Sequence, residues 1–165
     1  MEGKEPLMRL LFKQRFFSWL DSYDIYDEAG AVLFTVEGRL SLGHCLDILN
    51  PAGETVGRVK EEVFTFLPRF RFYTGDTCLG EIKKELTFFR PSFRLDCNGW
   101  QVQGDIWEWD YTIRDGFGAV VAQISKEVFR FTDTYVLDID NPQNTLLILM
   151  IALAIDAAKC SAGNG

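Results

Sequence analysis

A short pattern recurs six times along the chain at nearly constant spacing, and it leaves few architectures open. Each copy is an apolar residue, three mostly polar ones, a second apolar residue, and then aromatics or Leu. The copies run Phe12 to Trp19, Val36 to Leu42, Val59 to Phe66, Ile82 to Phe89, Val102 to Trp109 and Ile124 to Phe131. Their first residues are spaced by 24, 23, 23, 20 and 22 positions, a regularity that points to one supersecondary unit used repeatedly. Between the copies lie short runs, Tyr23–Tyr26, Leu46–Leu49, Phe70–Tyr73, Phe93–Asp96, Tyr111–Arg114 and Tyr135–Asp138, most of which alternate apolar with polar. That period of two is the mark of half-buried strands. Turn signals separate the short runs from the next copy, among them Glu28-Ala29-Gly30, Asn50-Pro51-Ala52-Gly53, Gly75-Asp76, Asn98-Gly99 and Asp115-Gly116. Twelve strands in consecutive hairpins are predicted over about 7–139. The aromatics Phe64, Phe66, Phe129 and Phe131 fall on the face opposite the rest of the pattern, which calls for a bulge or bend.

The longest apolar run, Leu146 to Ile155, contains no polar residue. It is short for a membrane span, which takes roughly 20 apolar residues, and suits a buried core helix. Asn141 can cap such a helix, Pro142 fits its first position, and Asp138 and Asp140 complement its positive end. A helix over 142–159 is about 27 Å long and apolar all round its middle, so it has to be surrounded. At about twelve strands a closed sheet has a lumen wider than side chains can fill, and one helix plugs it. Closure also removes the open edges of a long sheet. The fold class expected is therefore mainly β: a closed antiparallel 12-stranded barrel plugged by a hydrophobic C-terminal helix, as one domain over 1–165.

Charge narrows the function. The chain carries 17 Lys and Arg against 24 Asp and Glu, a net of −7, so attraction to nucleic acid is not expected. Cys45, Cys78, Cys97 and Cys160 are scattered, and His44 is the only histidine, so no zinc spacing exists and no metal or cofactor is expected. Met1 to Pro6 is polar and precedes no secretory apolar region, which predicts a cytoplasmic location. No nucleophile–base pair or phosphate loop stands out, and the chain reads as a non-enzyme. His44 reads as a hydrogen-bonded turn residue, and Cys45 as a small buried residue opening a strand. Asp105, Glu108, Asp110 and Asp115, and Asp138 with Asp140, do not match a calcium loop. Asp156, on the apolar helix, is expected near the barrel exit, in reach of Lys159 or a lining Arg.

One stretch is locally basic: residues 58–94 hold eight basic and five acidic side chains. Arg69 and Arg71 alternate with Phe70 and Phe72, so a strand there points the aromatics inward and both guanidinium groups outward. Lys83, Lys84, Arg90 and Arg94 follow. Arg69, Arg71, Lys83 and Lys84 are the candidate ligand-binding residues, suited to an anionic lipid headgroup or a phosphorylated partner. The interleaved Glu61, Glu62, Glu81 and Glu85 support the competing reading, neutralisation across strands.

The chain resembles the LURP-one-related family of the tubby C-terminal-like superfamily, which also contains the phospholipid scramblases. The resemblance is carried by Phe12-Lys13-Gln14-Arg15-Phe16-Phe17-Ser18-Trp19, Tyr26-Asp27-Glu28-Ala29-Gly30, Val36-Glu37-Gly38-Arg39, Val102-Gln103-Gly104-Asp105, Ile124-Ser125-Lys126 and Ala154-Ile155-Asp156-Ala157. It implies a twelve-stranded barrel around a hydrophobic helix, independently of the repeat count. For bacterial members it implies no established activity, while tubby-like relatives are known chiefly as membrane-tethered phosphoinositide-binding or regulatory proteins. Two functional readings result. The first is a non-catalytic binding or scaffold domain for an anionic membrane lipid or a protein partner, placed in the cytoplasm or at the membrane periphery without a transmembrane span. The second is a scramblase-like membrane-associated protein.

Overall fold

The computed structural model describes residues 8–13, 22–129 and 132–163. Twelve strands follow one another: β1 (Met8–Lys13), β2 (Ser22–Tyr26), β3 (Val32–Gly38), β4 (Cys45–Leu49), β5 (Thr55–Glu61), β6 (Arg69–Thr74), β7 (Thr77–Lys84), β8 (Phe93–Leu95), β9 (Gln101–Asp105), β10 (Asp110–Arg114), β11 (Val120–Phe129) and β12 (Thr132–Ile139). Each pairs antiparallel with its sequence neighbours, and β1 pairs with β12 to close the barrel. The six runs of alternating residues are the even strands. The first residues of the six repeats, Phe12, Val36, Val59, Ile82, Val102 and Ile124, lie in the odd strands and all point into the core.

Three of the hairpins share one turn, which accounts for part of the repeat. Asp27, Asn50 and Asp115 each accept, through a side-chain oxygen, the backbone N–H four residues on, at 2.8, 3.0 and 2.9 Å. Gly30, Gly53 and Gly118 take the positive φ that this loop needs. Each turn is followed by a register shift in its ladder, a bulge that adds twist where the barrel wall bends.

The second half of the repeat differs from expectation. β5 ends at Glu61, so Val63 to Phe66 belong to a loop, and Phe64 and Phe66 stand in solvent. No bulge turns them inward. Leu40 and Leu86, at the equivalent places after β3 and β7, are exposed too, whereas Ile106, in a one-turn 3₁₀ segment after β9, is buried. Residues Gln14 to Trp19 of the first copy and Phe131 of the last lie outside the described residues.

The helix α1 (Thr145–Gly163) runs down the lumen, four residues further than expected, after a 3₁₀ turn over Pro142–Asn144. Asn141 Oδ1 accepts the Gln143 N–H at 3.0 Å, the cap foreseen from sequence. Ile148 to Ile155 are all buried without a break. The segment Pro142–Ala162 is long and apolar enough to cross a membrane by length and composition, at a mean hydropathy of 1.8, but its surroundings are the barrel wall. Ala152, Ala154, Ala157 and Ala158 make its second half slim. Phe12, Trp109, Tyr111 and Tyr135 join the same core, with the Trp109 and Tyr135 rings stacked at 3.9 Å. Gly57 on β5 leaves the space that Met150 fills.

Gly104 is required by the backbone. Its φ is +129°, and a Cβ there would stand 2.8 Å from the Asp110 carbonyl oxygen and 2.9 Å from the Tyr111 Cα, both main-chain atoms of β10. Gly104→Ala is expected to destabilise the protein by about 3 kcal/mol, from strain and a displaced strand pair. Chemical denaturation measures it, and an unchanged midpoint would mean that β9 and β10 part easily.

Candidate anion-binding site

The barrel has two rims. The proximal rim, where α1 begins, is made by the even-to-odd connections, and the distal rim, where α1 ends, by the odd-to-even ones. Two contacts fix the helix end at the distal rim. The Lys159 ammonium donates to the Trp107 carbonyl, and Ser161 Oγ lies 3.5 Å from His44 Nδ1. Lys159 thus serves the Trp107 main chain, while the Asp156 charge is felt by the Tyr111 phenol, whose ionisation is pushed well up by full burial and then by that carboxylate.

The β6–β7 hairpin leads to this rim. Phe70 and Phe72 are wholly buried, so Arg69 and Arg71 face outward as the alternation requires. Arg69 stands opposite Lys83, and Arg71 opposite Glu81. Glu81 lies 3.3 Å from Arg69 Nε and 3.2 Å from Arg71 Nε, and Glu62 lies 3.2 Å from Arg71 Nε. Cross-strand neutralisation is therefore real for Arg71, which two carboxylates hold against the wall. It is incomplete for Arg69, whose Nε is buried and has no hydrogen-bond partner of proper geometry among the described residues.

Above that pair the strands open into a cleft of about 350 Å³. Arg69, Lys83, Lys84 and Glu85 line it together with Thr65, Phe66, Leu67 and Leu86. Lys83 is exposed and forms no ion pair among the described residues, and Lys84 Nζ sits 5.6 Å from the Trp107 ring. Glu85 is turned to other work, accepting from Arg94 at 2.7 Å and from Ser92 at 3.0 Å. The Arg94 contact, against a smaller effect of burial, keeps the Glu85 carboxyl below its usual range. Three cations thus border one opening whose single carboxylate is already matched. Of the four residues singled out from sequence, Arg69, Lys83 and Lys84 meet here. Arg71 does not.

Two other polar clusters have structural explanations. Asp47, fully buried on the outer face of β4, is gripped by Arg39 and by Arg58, the latter at 2.6 Å. Burial would raise its carboxyl, but the hydrogen bonds from Arg58 and Arg39 outweigh it and hold the group low. His44 Nδ1 is 2.7 Å from Glu61 Oε2, and burial keeps the imidazole below its usual range despite that carboxylate. Ser161 approaches the same ring nitrogen, whereas a nucleophile–base–carboxylate relay uses both nitrogens. Cys45 is buried at the start of β4, and burial raises its thiol. Among the described residues no group of three metal-ligating side chains assembles.

The model of the LURP-one-related family matches residues 8–156. The uncharacterized protein YxjI of Bacillus subtilis (strain 168) is 31% identical over 151 residues, which span 91% of this chain and 93% of that protein. Among solved structures, a protein from Arabidopsis thaliana superposes with a TM-score of 0.64 over 92% of this chain and 91% of that one, at 18% identity. That likeness is one of fold.

Proposed function

The chain belongs to the LURP-one-related family, and from that premise we propose that it is a non-catalytic binding domain whose distal-rim cleft takes a phosphate-bearing anion, such as a lipid headgroup. The observation that carries the reading is the meeting of Arg69, Lys83 and Lys84 around one opening whose Glu85 is held by Arg94. Charge-assisted hydrogen bonds from three cations suit the several acceptor oxygens of a phosphate. The aromatic ring under Lys84 keeps its ammonium in place. A scramblase-like role would require α1 to face lipid, and its enclosure argues against that. The domain would work from the cytoplasm at a membrane periphery.

Calorimetric titration with inositol hexakisphosphate, a soluble phosphate-rich probe, tests the site. The triple variant Arg69→Gln, Lys83→Gln, Lys84→Gln should bind at least tenfold more weakly, since the loss of even one charge-assisted bond, worth ~1.5 kcal/mol or more, already weakens binding about tenfold. Arg71→Gln should bind as the parent does. Parent affinity should also fall with added salt. Equal affinity of the triple variant and the parent, or loss confined to Arg71→Gln, would move the site elsewhere.

A further inference from the structure

The two rims differ in kind. The six proximal connections carry Asp27 and Glu28, Glu54, Asp76, Asp96, Asp115 and Asp140, seven carboxylates without one Lys or Arg. Three neighbouring loops of the distal rim carry apolar side chains instead: Leu40 and Leu42 after β3, Phe64 and Phe66 after β5, and Leu86, Phe88 and Phe89 after β7. Each of these is at least 76% exposed. Among the described residues, one comparably exposed large apolar side chain, Phe117, lies at the other rim. The β9–β10 connection of the distal rim shows no such side chain, and Asp105, Glu108 and Asp110 cluster there. Among the described residues the apolar face is therefore the β3–β8 half of that rim.

So much exposed apolar surface on one side of a barrel marks an interaction site. The shape of the surface selects the partner. The side chains stand on three separate loops, each at least 76% exposed and so little packed against its neighbours, and the cleft of about 350 Å³ that Phe66 and Leu86 border is too small for a folded partner. Phe64 is held outward in a backbone conformation, φ +62°, that is costly for a bulky residue. A fluid partner can take up separate tips. Charge points the same way. Residues 58–94 have eight basic and five acidic side chains, and one of those acids, Asp76, sits at the opposite rim. A molecule of net charge −7 is thus basic behind its apolar tips, while its proximal connections carry seven carboxylates and no Lys or Arg of their own. An anionic surface attracts the first end and repels the second.

We propose that the β3–β8 half of the distal rim penetrates an anionic lipid bilayer, with the Leu and Phe tips among the headgroups and upper acyl chains and the acidic rim turned to water. The anionic preference rests on the cleft reading given above, because Arg69, Lys83 and Lys84 stand directly behind the tips. Penetration itself rests on the apolar tips alone.

Vesicle flotation of the full chain tests it, with phosphatidylcholine vesicles compared with vesicles that also contain phosphatidylserine. The parent should float with the anionic vesicles. Phe64→Ser, Phe88→Ser, Phe89→Ser, which spares the cleft lining and changes only exposed positions, should float about tenfold less, because each ring withdrawn from lipid removes apolar area. That variant should bind inositol hexakisphosphate as the parent does. Tryptophan introduced by Phe66→Trp should add emission that shifts to the blue and is quenched by bromine-labelled acyl chains. Three results would overturn the proposal: equal flotation of parent and triple variant, no flotation of the parent, or a parent that dimerises through this rim without floating. Flotation with no binding of the soluble anion would remove the cleft and leave penetration standing, while anion binding without flotation would do the reverse.

Discussion

Replacing Leu149 with Asp is expected to destabilise the protein by about 4 kcal/mol or more, enough to unfold a domain of ordinary stability. Leu149 is wholly buried in α1, between Ile148 and Met150, which are equally buried. A carboxylate at that position would have neither water nor a cation, since the neighbours on both sides are apolar from Leu146 to Ile155. It would enter the lumen protonated or not at all, and either choice costs. Urea titration followed by far-ultraviolet circular dichroism measures the change. An unchanged midpoint would mean that this face of the helix is not enclosed.

Ending the chain at Asn141 should have a larger effect still, the loss of cooperative folding. The inward side chains of the wall, among them Phe70, Phe72, Ile82 and Ile113, are buried within the core that α1 shares. With the helix gone, the wall of a twelve-stranded barrel encloses a void that its own side chains cannot fill. The truncated chain should show no sharp thermal transition and little near-ultraviolet dichroism. A truncated barrel that melts cooperatively near the parent temperature would show that the wall packs against itself and that α1 is an accessory.

Much of this architecture could be read from the sequence, because period, turn chemistry and helix capping are local. The even strands fall within a residue of the alternating runs except β12, which starts three residues earlier, and the Asn141 cap with its following proline marks where the lumen helix begins. The second apolar residue of the repeat misled, for a physical reason. Leu40 and Leu86 continue the pattern of Val36 and Ile82, yet the strands end before they are reached, and a one-dimensional pattern does not distinguish a core side chain from a loop tip. Asp47 was equally hidden. Its partners are Arg39, just past the end of β3, and Arg58 of β5, and their convergence depends on a register that only the folded sheet defines.

The candidate site was legible in part. Alternation alone placed Arg69 and Arg71 outside and their phenylalanine neighbours inside. It could not tell that Glu62 and Glu81 would occupy Arg71 while leaving the next level up open, nor that Lys84 would meet Trp107 from another hairpin. Net charge was a poor guide for the same reason. Seven of the 24 acidic residues sit at the proximal connections, which have no Lys or Arg, so the net charge hides a difference between the two rims.

The most direct test of a distal-rim binding domain is a map of backbone amide shifts in the isotopically labelled full chain as inositol hexakisphosphate is added. Shifts should cluster at Thr65 to Arg69 and at Lys83 to Leu86, and leave the turns at Gly53, Gly75 and Gly118 unmoved. Shifts centred on those proximal turns, or none at phosphate concentrations that saturate ordinary anion sites, would contradict the account.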